Sequence, residues 1–130
     1  MTNSIVLDAS ALLAYLLREK GAKRVKEALP AAAMSAVNFC EVLNRYAKDT
    51  NFESAKKLTK KIRTKLASLE AFTPEDAIDA TAIHVSSRHL GLSLGDCICL
   101  AQGRKLNADV WTCDRNWAQL DASYRVMVIR

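Results

Sequence analysis

Short apolar runs alternate with longer amphipathic segments along almost the whole chain, and this alternation restricts the possible folds more than any single motif. The apolar runs predict short strands at residues 5–7, 32–34, 69–72, 109–112 and 125–129. The segments between them predict helices at residues 9–18, 21–29, 36–48, 52–66, 74–89 and 95–106, and a helical turn at 115–119. Strands that alternate with helices form a mainly parallel sheet, because each crossover helix packs on one of its faces. We therefore expect an α/β fold with a mainly parallel central sheet of about five short strands, flanked by helices on both faces.

The size and composition of the chain predict one domain, residues 1–130. Half of the residues are hydrophobic, and a chain of this length buries about two-thirds of the surface that its unfolded form exposes. The first residues lack the basic region of a signal peptide, and no apolar run approaches the roughly 18 residues of a membrane span. We expect a cytoplasmic protein with no membrane contact.

The four cysteines, at positions 40, 97, 99 and 113, contain no C-x-x-C pair. We interpret them as buried thiols in a reducing compartment rather than as zinc ligands. His84 and His89 are interpreted as surface or core histidines.

Three aspartates lie where an apolar run gives way to a turn or a helix. Asp8 follows the run at residues 4–7, Asp114 follows the run at 110–113, and Asp96 opens the helix predicted after 92–95. Side chains at the carboxyl ends of parallel strands converge at one edge of the sheet. Each aspartate could instead cap a helix N-terminus, where its charge suits the helix dipole.

Glu41 is not explained as a cap, because it lies inside the helix predicted at residues 36–48. The apolar periodicity of that helix predicts a buried stripe of Val37, Cys40, Leu43 and Ala47. Asn38, Glu41 and Arg45 fall on another face. Glu41 could pair with Arg45 on the surface, or it could point towards the strand ends.

Carboxylates that share a pocket repel one another. At roughly 5 Å and an effective dielectric of about 20, each pair costs on the order of 3 kcal/mol, so a divalent cation is expected between them. Oxygen ligands select a hard cation, Mg²⁺ or Mn²⁺ as a substitute. The chemistry that follows is metal-assisted hydrolysis of a phosphodiester, with Asp8, Glu41, Asp96 and Asp114 as the candidate catalytic and metal-binding residues.

The local sequences around these acids resemble those of the PIN-domain ribonucleases. Four segments carry the resemblance, in the family's order and spacing: L-D-A-S at 7–10, V-N-F-C-E-V at 37–42, L-S-L-G-D at 92–96 and T-C-D-R-N-W at 112–117. The chain is most similar to the VapC toxins of toxin–antitoxin pairs. The resemblance implies a PIN-like fold and an Mg²⁺-dependent endoribonuclease.

The resemblance also implies roles for individual residues. Asp8, Glu41 and Asp96 match the three acids that hold the metal, and Asp114 matches a more variable fourth. Ser10 and Thr112 match small hydroxyl residues that support these acids, and we add Asn38, Arg115 and Asn116 as supporting residues. Arg115 could hold the scissile phosphate or face solvent. The chain departs from the family at Cys97, where alanine is usual, and at Trp117, where a smaller aromatic residue is common.

The partners implied by the resemblance are RNA, a cognate VapB-like antitoxin and a second copy of the chain, as a homodimer. Charge provides separate support for a polyanion. Residues 45–65 contain eight basic and two acidic residues, whereas the rest of the chain contains eleven basic and twelve acidic ones. Lys56, Lys57, Lys60 and Lys61 are the candidate RNA-binding lysines, together with Arg115. The same lysines could bind an acidic partner, or form the solvated face of a helix that buries Phe52, Ala55, Leu58, Ile62 and Leu66.

Two other functions are compatible with an acidic α/β domain. A metal-dependent phosphatase would use Asp8 as its nucleophile, but haloacid-dehalogenase-like enzymes place a second aspartate two residues later, where this chain has Ser10. A catalytically silent PIN-like module would only bind RNA or a protein. Four intact acids argue against such a module, because nothing in it would offset their repulsion.

Overall fold

Five short strands pair into one sheet in the computed structural model, which describes residues 4–130. The strands are β1 (Ile5–Leu7), β2 (Ala32–Ser35), β3 (Ser68–Glu70), β4 (Asp109–Thr112) and β5 (Val126–Val128). Every pairing is parallel, and the strand order is β3-β2-β1-β4-β5. The predicted α/β fold with a mainly parallel sheet is confirmed.

Six α-helices connect and cover these strands. They are α1 (Ala9–Leu16), α2 (Ala22–Ala28), α3 (Ala36–Asp49), α4 (Phe52–Lys65), α5 (Pro74–Ser86) and α6 (Leu94–Leu106). Short 3₁₀ segments lie at Leu29–Ala31, Arg88–Leu90, Arg115–Gln119 and Ala122–Tyr124. Helix α1 stops before the predicted residue 18, because Arg18 itself has a left-handed backbone. Helix α5 stops before the predicted residue 89, and the following 3₁₀ turn ends at Gly91, whose φ is +67°.

Alternate residues of the strands pack on opposite faces of the sheet, as the two-residue period of a strand requires. On one face, Val6 and Val110 pack in a cluster with buried residues of α5 and α6. On the other face, Leu7 and Met34 pack in a cluster with residues of α1, α2, α3 and α4. Helices therefore cover both faces, as predicted.

The strand order determines where a site can form. From β1 the chain moves outwards through β2 to β3, and it then returns to add β4 and β5 on the other side of β1. The direction of winding changes between β1 and β4, and ligands of parallel α/β sheets bind outside the carboxyl ends of strands at such a switch point. Asp8 follows β1 directly, and Thr112 ends β4.

Two side chains that the sequence predicted to be buried, Cys40 and Phe52, are exposed. In α3 the buried residues are Asn38, Phe39 and Val42, and Cys40 is exposed. Phe39 and Val42 point into the core formed with α1 and α4. The buried stripe of α3 therefore lies about one residue earlier in the sequence than predicted. Phe52 is 70% exposed because it is the first residue of α4, ahead of the part that packs on the core. Of the four cysteines, Cys97 and Cys99 are buried as predicted, and Cys113 is intermediate.

Asp76 fastens α5 to α6. It completes a capping box with Thr73 and accepts a hydrogen bond from Lys105 Nζ at 3.0 Å. Desolvation by itself would raise the pKa of Asp76, but hydrogen bonds from Thr73 and Lys105 outweigh it and hold the pKa below 3.8.

We expect Asp76→Ala to lower the free energy of unfolding by about 2 kcal/mol at pH 7, because it removes a helix cap and the buried partner of the half-exposed Lys105. The pKa of this carboxyl is lower in the folded state, so its stabilisation is present above the unfolded pKa and is lost as the pH falls below about 4. Urea unfolding at pH 7 and pH 3 measures both effects. The control is Asp79→Ala, an exposed acid on the same helix; an equal loss in both variants would contradict the prediction.

Candidate metal centre

Asp8 occupies the junction between the central strand and α1. It is the N-cap of α1, where its Oδ1 accepts a hydrogen bond from the backbone N–H of Ala11 at 2.8 Å. Its backbone N–H donates to the Trp111 carbonyl, which extends the pairing with β4 by one residue. The side chain is only 6% exposed. The helix cap and the strand pairing together leave the carboxylate little freedom to move.

Two hydroxyl groups hold the Asp8 carboxylate. Ser10 Oγ donates to Asp8 Oδ1 at 2.7 Å, and Thr112 Oγ1 donates to Asp8 Oδ2 at 2.6 Å. Each hydroxyl also accepts from the backbone after β4: Ser10 from Cys113 and Thr112 from Asp114, at 2.9 and 3.0 Å. Ser10 and Thr112 therefore link Asp8 to the end of the neighbouring strand.

Asp96 lies in the first turn of α6. The helix begins at Leu94 with Ser93 as its N-cap, so Asp96 is its third residue and does not open it as predicted. Asp96 Oδ2 accepts from the Ser93 backbone N–H at 3.0 Å, while the Ser93 side chain accepts from the Asp96 N–H at 3.1 Å. This capping box satisfies two N–H groups at the helix end. It leaves the Oδ1 atom of Asp96 without a hydrogen bond among residues 4–130.

Asp114 follows β4 and is the N-cap of the 3₁₀ segment Arg115–Gln119. Its Oδ1 accepts from the backbone N–H of Asn116 at 2.9 Å, which is the contribution of Asn116 to the site. Arg115 Nε donates to the Arg130 carbonyl at 3.4 Å, and Arg115 does not line the acidic cleft described below. The structure thus brings Asp114 to the site and leaves the guanidinium of Arg115 outside it.

Glu41 reaches the site from α3 through contacts with Asn38 and α6. Asn38 Nδ2 donates to Glu41 Oε1 at 2.9 Å and to the Gly95 carbonyl at 3.0 Å. Arg45 pairs with Asp49 at 3.1 Å. A surface pair of Glu41 with Arg45 was one of the two alternatives, and the structure does not form it.

The four acids converge on one cleft of about 270 Å³. The cleft is lined by Asp8, Ala9, Ser10, Leu13, Asn38, Glu41, Arg45, Asp96 and Asp114. These residues come from α1, α3, α6 and the segment after β4. The topology therefore brings together side chains that are up to 106 positions apart in the chain.

The carboxylates of the cleft affect one another electrostatically. Burial raises the pKa of Asp8 from 3.8 to about 6, against the effect of three hydrogen bonds to its oxygens, and the charge of Asp96 adds to the rise. Burial also raises the pKa of Asp96, with a contribution from Asp114. The pKa of the fully buried Cys99 thiol is raised by burial and then by Asp8, Asp96 and Glu41, because it lies behind the cleft.

The donor set suits a hard divalent cation. The charged groups of the cleft that could coordinate a cation are all carboxylates, and Mg²⁺ and Mn²⁺ prefer oxygen ligands of this kind. Within residues 4–130, no three Asp, Glu, His or Cys side chains lie close enough together to hold a metal ion by themselves. Mg²⁺ retains several water ligands and needs only one or two protein carboxylates. An open cleft with unpaired carboxylate oxygens therefore fits such an ion.

The candidate RNA-binding lysines lie away from this cleft. Lys56, Lys57, Lys60 and Lys61 are all exposed on α4. Lys61 lines a separate cavity of about 860 Å³ that also contains Arg18, Lys23 and Lys26. Sequence reasoning missed these three residues, because the charge count singled out residues 45–65 and they come from the segment around α2. Only a charge count along the folded surface could have found them.

The sequence matches the family described as the PIN domain over residues 5–123. The chain belongs to the PIN domain family. A search of curated proteins found no match to it. Across residues 4–130 of this PIN domain, none of the helices is both long and apolar enough to cross a bilayer.

Several solved structures are similar to this PIN domain. One is a toxin–antitoxin complex from Klebsiella pneumoniae, with 21% identity, a TM-score of 0.73 and coverage of 95% of this chain and 96% of that chain. Another is DNA-bound VapBC from Salmonella typhimurium, with 14% identity, a TM-score of 0.75 and 98% coverage of both chains. A third is FitAcB from Neisseria gonorrhoeae, with 18% identity, a TM-score of 0.69 and coverage of 97% and 96%. At these identities, the similarity concerns the fold.

We expect Asp8 to make the metal-free protein less stable as the pH rises from about 4 to about 6. The raised pKa means that the folded state binds a proton more tightly than the unfolded state, so the stabilisation is present at low pH and is lost through this window. A shift of this size corresponds to roughly 3 kcal/mol. In EDTA, the free energy of unfolding of Asp8→Asn minus that of the wild type should therefore increase between pH 4 and pH 7.

Urea unfolding of both proteins at four pH values measures this difference. Asp79→Asn, an exposed acid outside the cleft, provides the control and should follow the wild type. If Asp8→Asn also follows the wild type at every pH, Asp8 is not a carboxyl with a raised pKa.

Proposed function

We propose that this PIN domain is an Mg²⁺-dependent endoribonuclease, the VapC-like toxin of a toxin–antitoxin pair. One observation carries the proposal: Asp8, Glu41, Asp96 and Asp114 line a single cleft at the switch point of the sheet. Membership of the PIN domain family and the similarity in fold to toxin–antitoxin complexes support it.

Asp8 and Asp96 would hold the ion, with Glu41 and Asp114 around it. When bound, a divalent cation polarises a phosphoryl oxygen and stabilises the charge that develops during hydrolysis. Ser10 and Thr112 would keep the Asp8 carboxylate in one orientation, because each donates a hydrogen bond to a different oxygen. These bonds also favour the ionised form of Asp8, which is the form that binds a cation.

Asp114 is suited to a different task. It is exposed at the edge of the cleft, and its Oδ1 is occupied by the Asn116 N–H. Its Oδ2 makes no hydrogen bond among the described residues, so this oxygen could accept a proton from an attacking water. Among the described residues, no histidine or cysteine lines the cleft, and its one hydroxyl, that of Ser10, donates its proton to Asp8.

The same interpretation assigns partners to the rest of the surface. The four exposed lysines of α4 lie outside the cleft, and they would bind phosphates of the RNA backbone there. A VapB-like antitoxin is proposed because the similar structures are chains of toxin–antitoxin assemblies. A homodimer is supported by Ile78 and Val85, which are seven residues apart on α5 and both more than half exposed.

Cleavage of total RNA by the purified protein tests the proposed activity. We expect discrete fragments in Mg²⁺ and none in excess EDTA. Asp96→Asn should reduce the rate by at least about 100-fold, because it removes a charge that holds the ion while its amide oxygen can still accept the capping hydrogen bond. Asp79→Asn, outside the cleft, should cleave like the wild type.

Two results would redirect the proposal. Intact RNA with all proteins would favour a silent binding module, and release of phosphate from small phosphomonoesters would favour a phosphatase. Equal cleavage by the wild type and Asp96→Asn would show that the acidic cleft is not the site of hydrolysis.

Replacement of Lys56, Lys57, Lys60 and Lys61 by glutamine should flatten the salt dependence of RNA binding. Each phosphate contact that is lost from single-stranded RNA reduces the slope of log K against log salt by about 0.7. Binding of a non-cleaved RNA to Asp96→Asn at several salt concentrations measures the slope. Arg88→Gln, which removes an exposed charge beyond the end of α5, is the control; an unchanged slope in the lysine variant would mean that these lysines only solvate α4.

A further inference from the structure

We propose that Asn38 and Gly95 are positioning residues that fix the Glu41 carboxylate against the first turn of α6, beside Asp96, and thereby set the affinity of the cleft for a divalent cation. The inference rests on the proposed function and deepens it. Neither residue is an acid, and neither needs to touch the ion. Their role is to define where one of the four acids lies.

The first observation concerns the volume next to the Gly95 Cα atom, where any other residue would have its Cβ. A Cβ atom at this position would overlap Glu41 Oε2 and would lie only 3.0 Å from Glu41 Cδ and 3.1 Å from Oε1. Glu41 therefore occupies the volume in which any other residue would have a side chain. Gly95 is the second residue of α6 and has no positive φ, so its backbone does not require glycine. Glycine is unfavourable inside a helix, and the packing of Glu41 explains its presence here.

The second observation is the buried amide of Asn38, which is 1% exposed. Its Nδ2 donates to Glu41 Oε1 and to the Gly95 carbonyl, at 2.9 and 3.0 Å. Both partners are acceptors, so only the nitrogen of the amide can face them and its orientation is unambiguous. The Oδ1 atom is buried and has no hydrogen-bond partner among residues 4–130. A buried oxygen without a partner is unfavourable. The two hydrogen bonds that the amide nitrogen donates explain why asparagine nevertheless occupies this position.

Together these contacts join α3 to α6. One N–H of Asn38 binds the acid of α3, and the other binds the backbone of the residue immediately before Asp96. Glu41 would otherwise be a long, exposed side chain with several rotamers available. Asn38 and Gly95 therefore restrict where the Glu41 carboxylate lies relative to the first turn of α6. A site that is already arranged binds a cation more tightly than one that must be ordered on binding.

Gly95→Ala is the variant that separates positioning from folding. The methyl group should push the Glu41 carboxylate out of its place, so we expect the Kd for Mn²⁺, measured by calorimetry without RNA, to rise about 10- to 100-fold. The melting temperature in EDTA should stay the same or increase, because alanine is the better helix former. Saturating Mn²⁺ should restore most of the RNA cleavage rate.

The matched control is Gly91→Ala. A Cβ at Gly91 would meet no atom of residues 4–130 within 4 Å, but the φ of +67° at this position disfavours alanine. We expect this variant to lose stability and to keep the Mn²⁺ affinity of the wild type, which is the opposite pattern to that of Gly95→Ala.

A double-mutant cycle tests whether Glu41 transmits the effect. In a Glu41→Ala background, Gly95→Ala should change the Mn²⁺ affinity by less than about twofold. Asn38→Leu, which is similar in size and has no N–H donors, should weaken Mn²⁺ binding about 10-fold in the wild type and have little effect in the same background.

The outcomes distinguish this inference from the proposed function. If the wild type binds Mn²⁺ and cleaves RNA but Gly95→Ala binds Mn²⁺ equally well, the positioning role is overturned and the nuclease stands. The same role is overturned if Gly95→Ala weakens binding equally with and without Glu41. If the wild type binds no Mn²⁺ at millimolar concentration, the metal centre itself fails and the inference fails with it.

Discussion

The structure of the site depends on one buried carboxylate, that of Asp8. It is held by the Ala11 N–H and by the hydroxyls of Ser10 and Thr112, so that it joins β1, α1 and β4 at a single point. A charged group with so little exposure is stable only when its oxygens are hydrogen-bonded or neutralised. The hydrogen bonds do not offset the burial fully, because the pKa remains at about 6. The remaining imbalance is what a cation in the cleft would correct.

Helix capping and the acidic cleft are two uses of the same side chains. Asp8 and Asp114 are N-caps, and Asp96 closes a capping box. The sequence left capping and a shared site as alternatives, and the geometry is compatible with both at once. Each carboxylate uses one oxygen for the helix end; the other oxygen accepts from Thr112 in Asp8 and makes no hydrogen bond among the described residues in Asp96 and Asp114. Asp8 and Asp114 directly follow neighbouring strands of a parallel sheet and therefore lie at one edge, and α6, which follows a 3₁₀ turn, brings Asp96 to the same edge.

Most of the fold was predictable because it follows from local pattern. The period of the apolar residues identified all five strands and six helices, and their alternation indicated a parallel sheet. The errors lie where tertiary packing decides orientation. Cys40 and Phe52 were expected in buried stripes, but the packing of α3 turns the first outwards and the position of Phe52 at the start of α4 leaves it uncovered. Arg45 was a possible partner of Glu41 and instead pairs with Asp49 on its own helix.

The sequence by itself determined the family and the residues available for a site: four acids at or near element boundaries, two hydroxyls and a basic stretch. Only the tertiary structure decided which groups touch. Contacts between Asn38, Glu41 and Gly95 join helices whose residues are more than 50 positions apart, and no period along the chain encodes their distance. The same is true of the cavity formed by Lys61 with Arg18, Lys23 and Lys26. Local propensity is a property of residues that are neighbours in the sequence. The contact of Glu41 with Gly95, in contrast, exists only after two helices have packed.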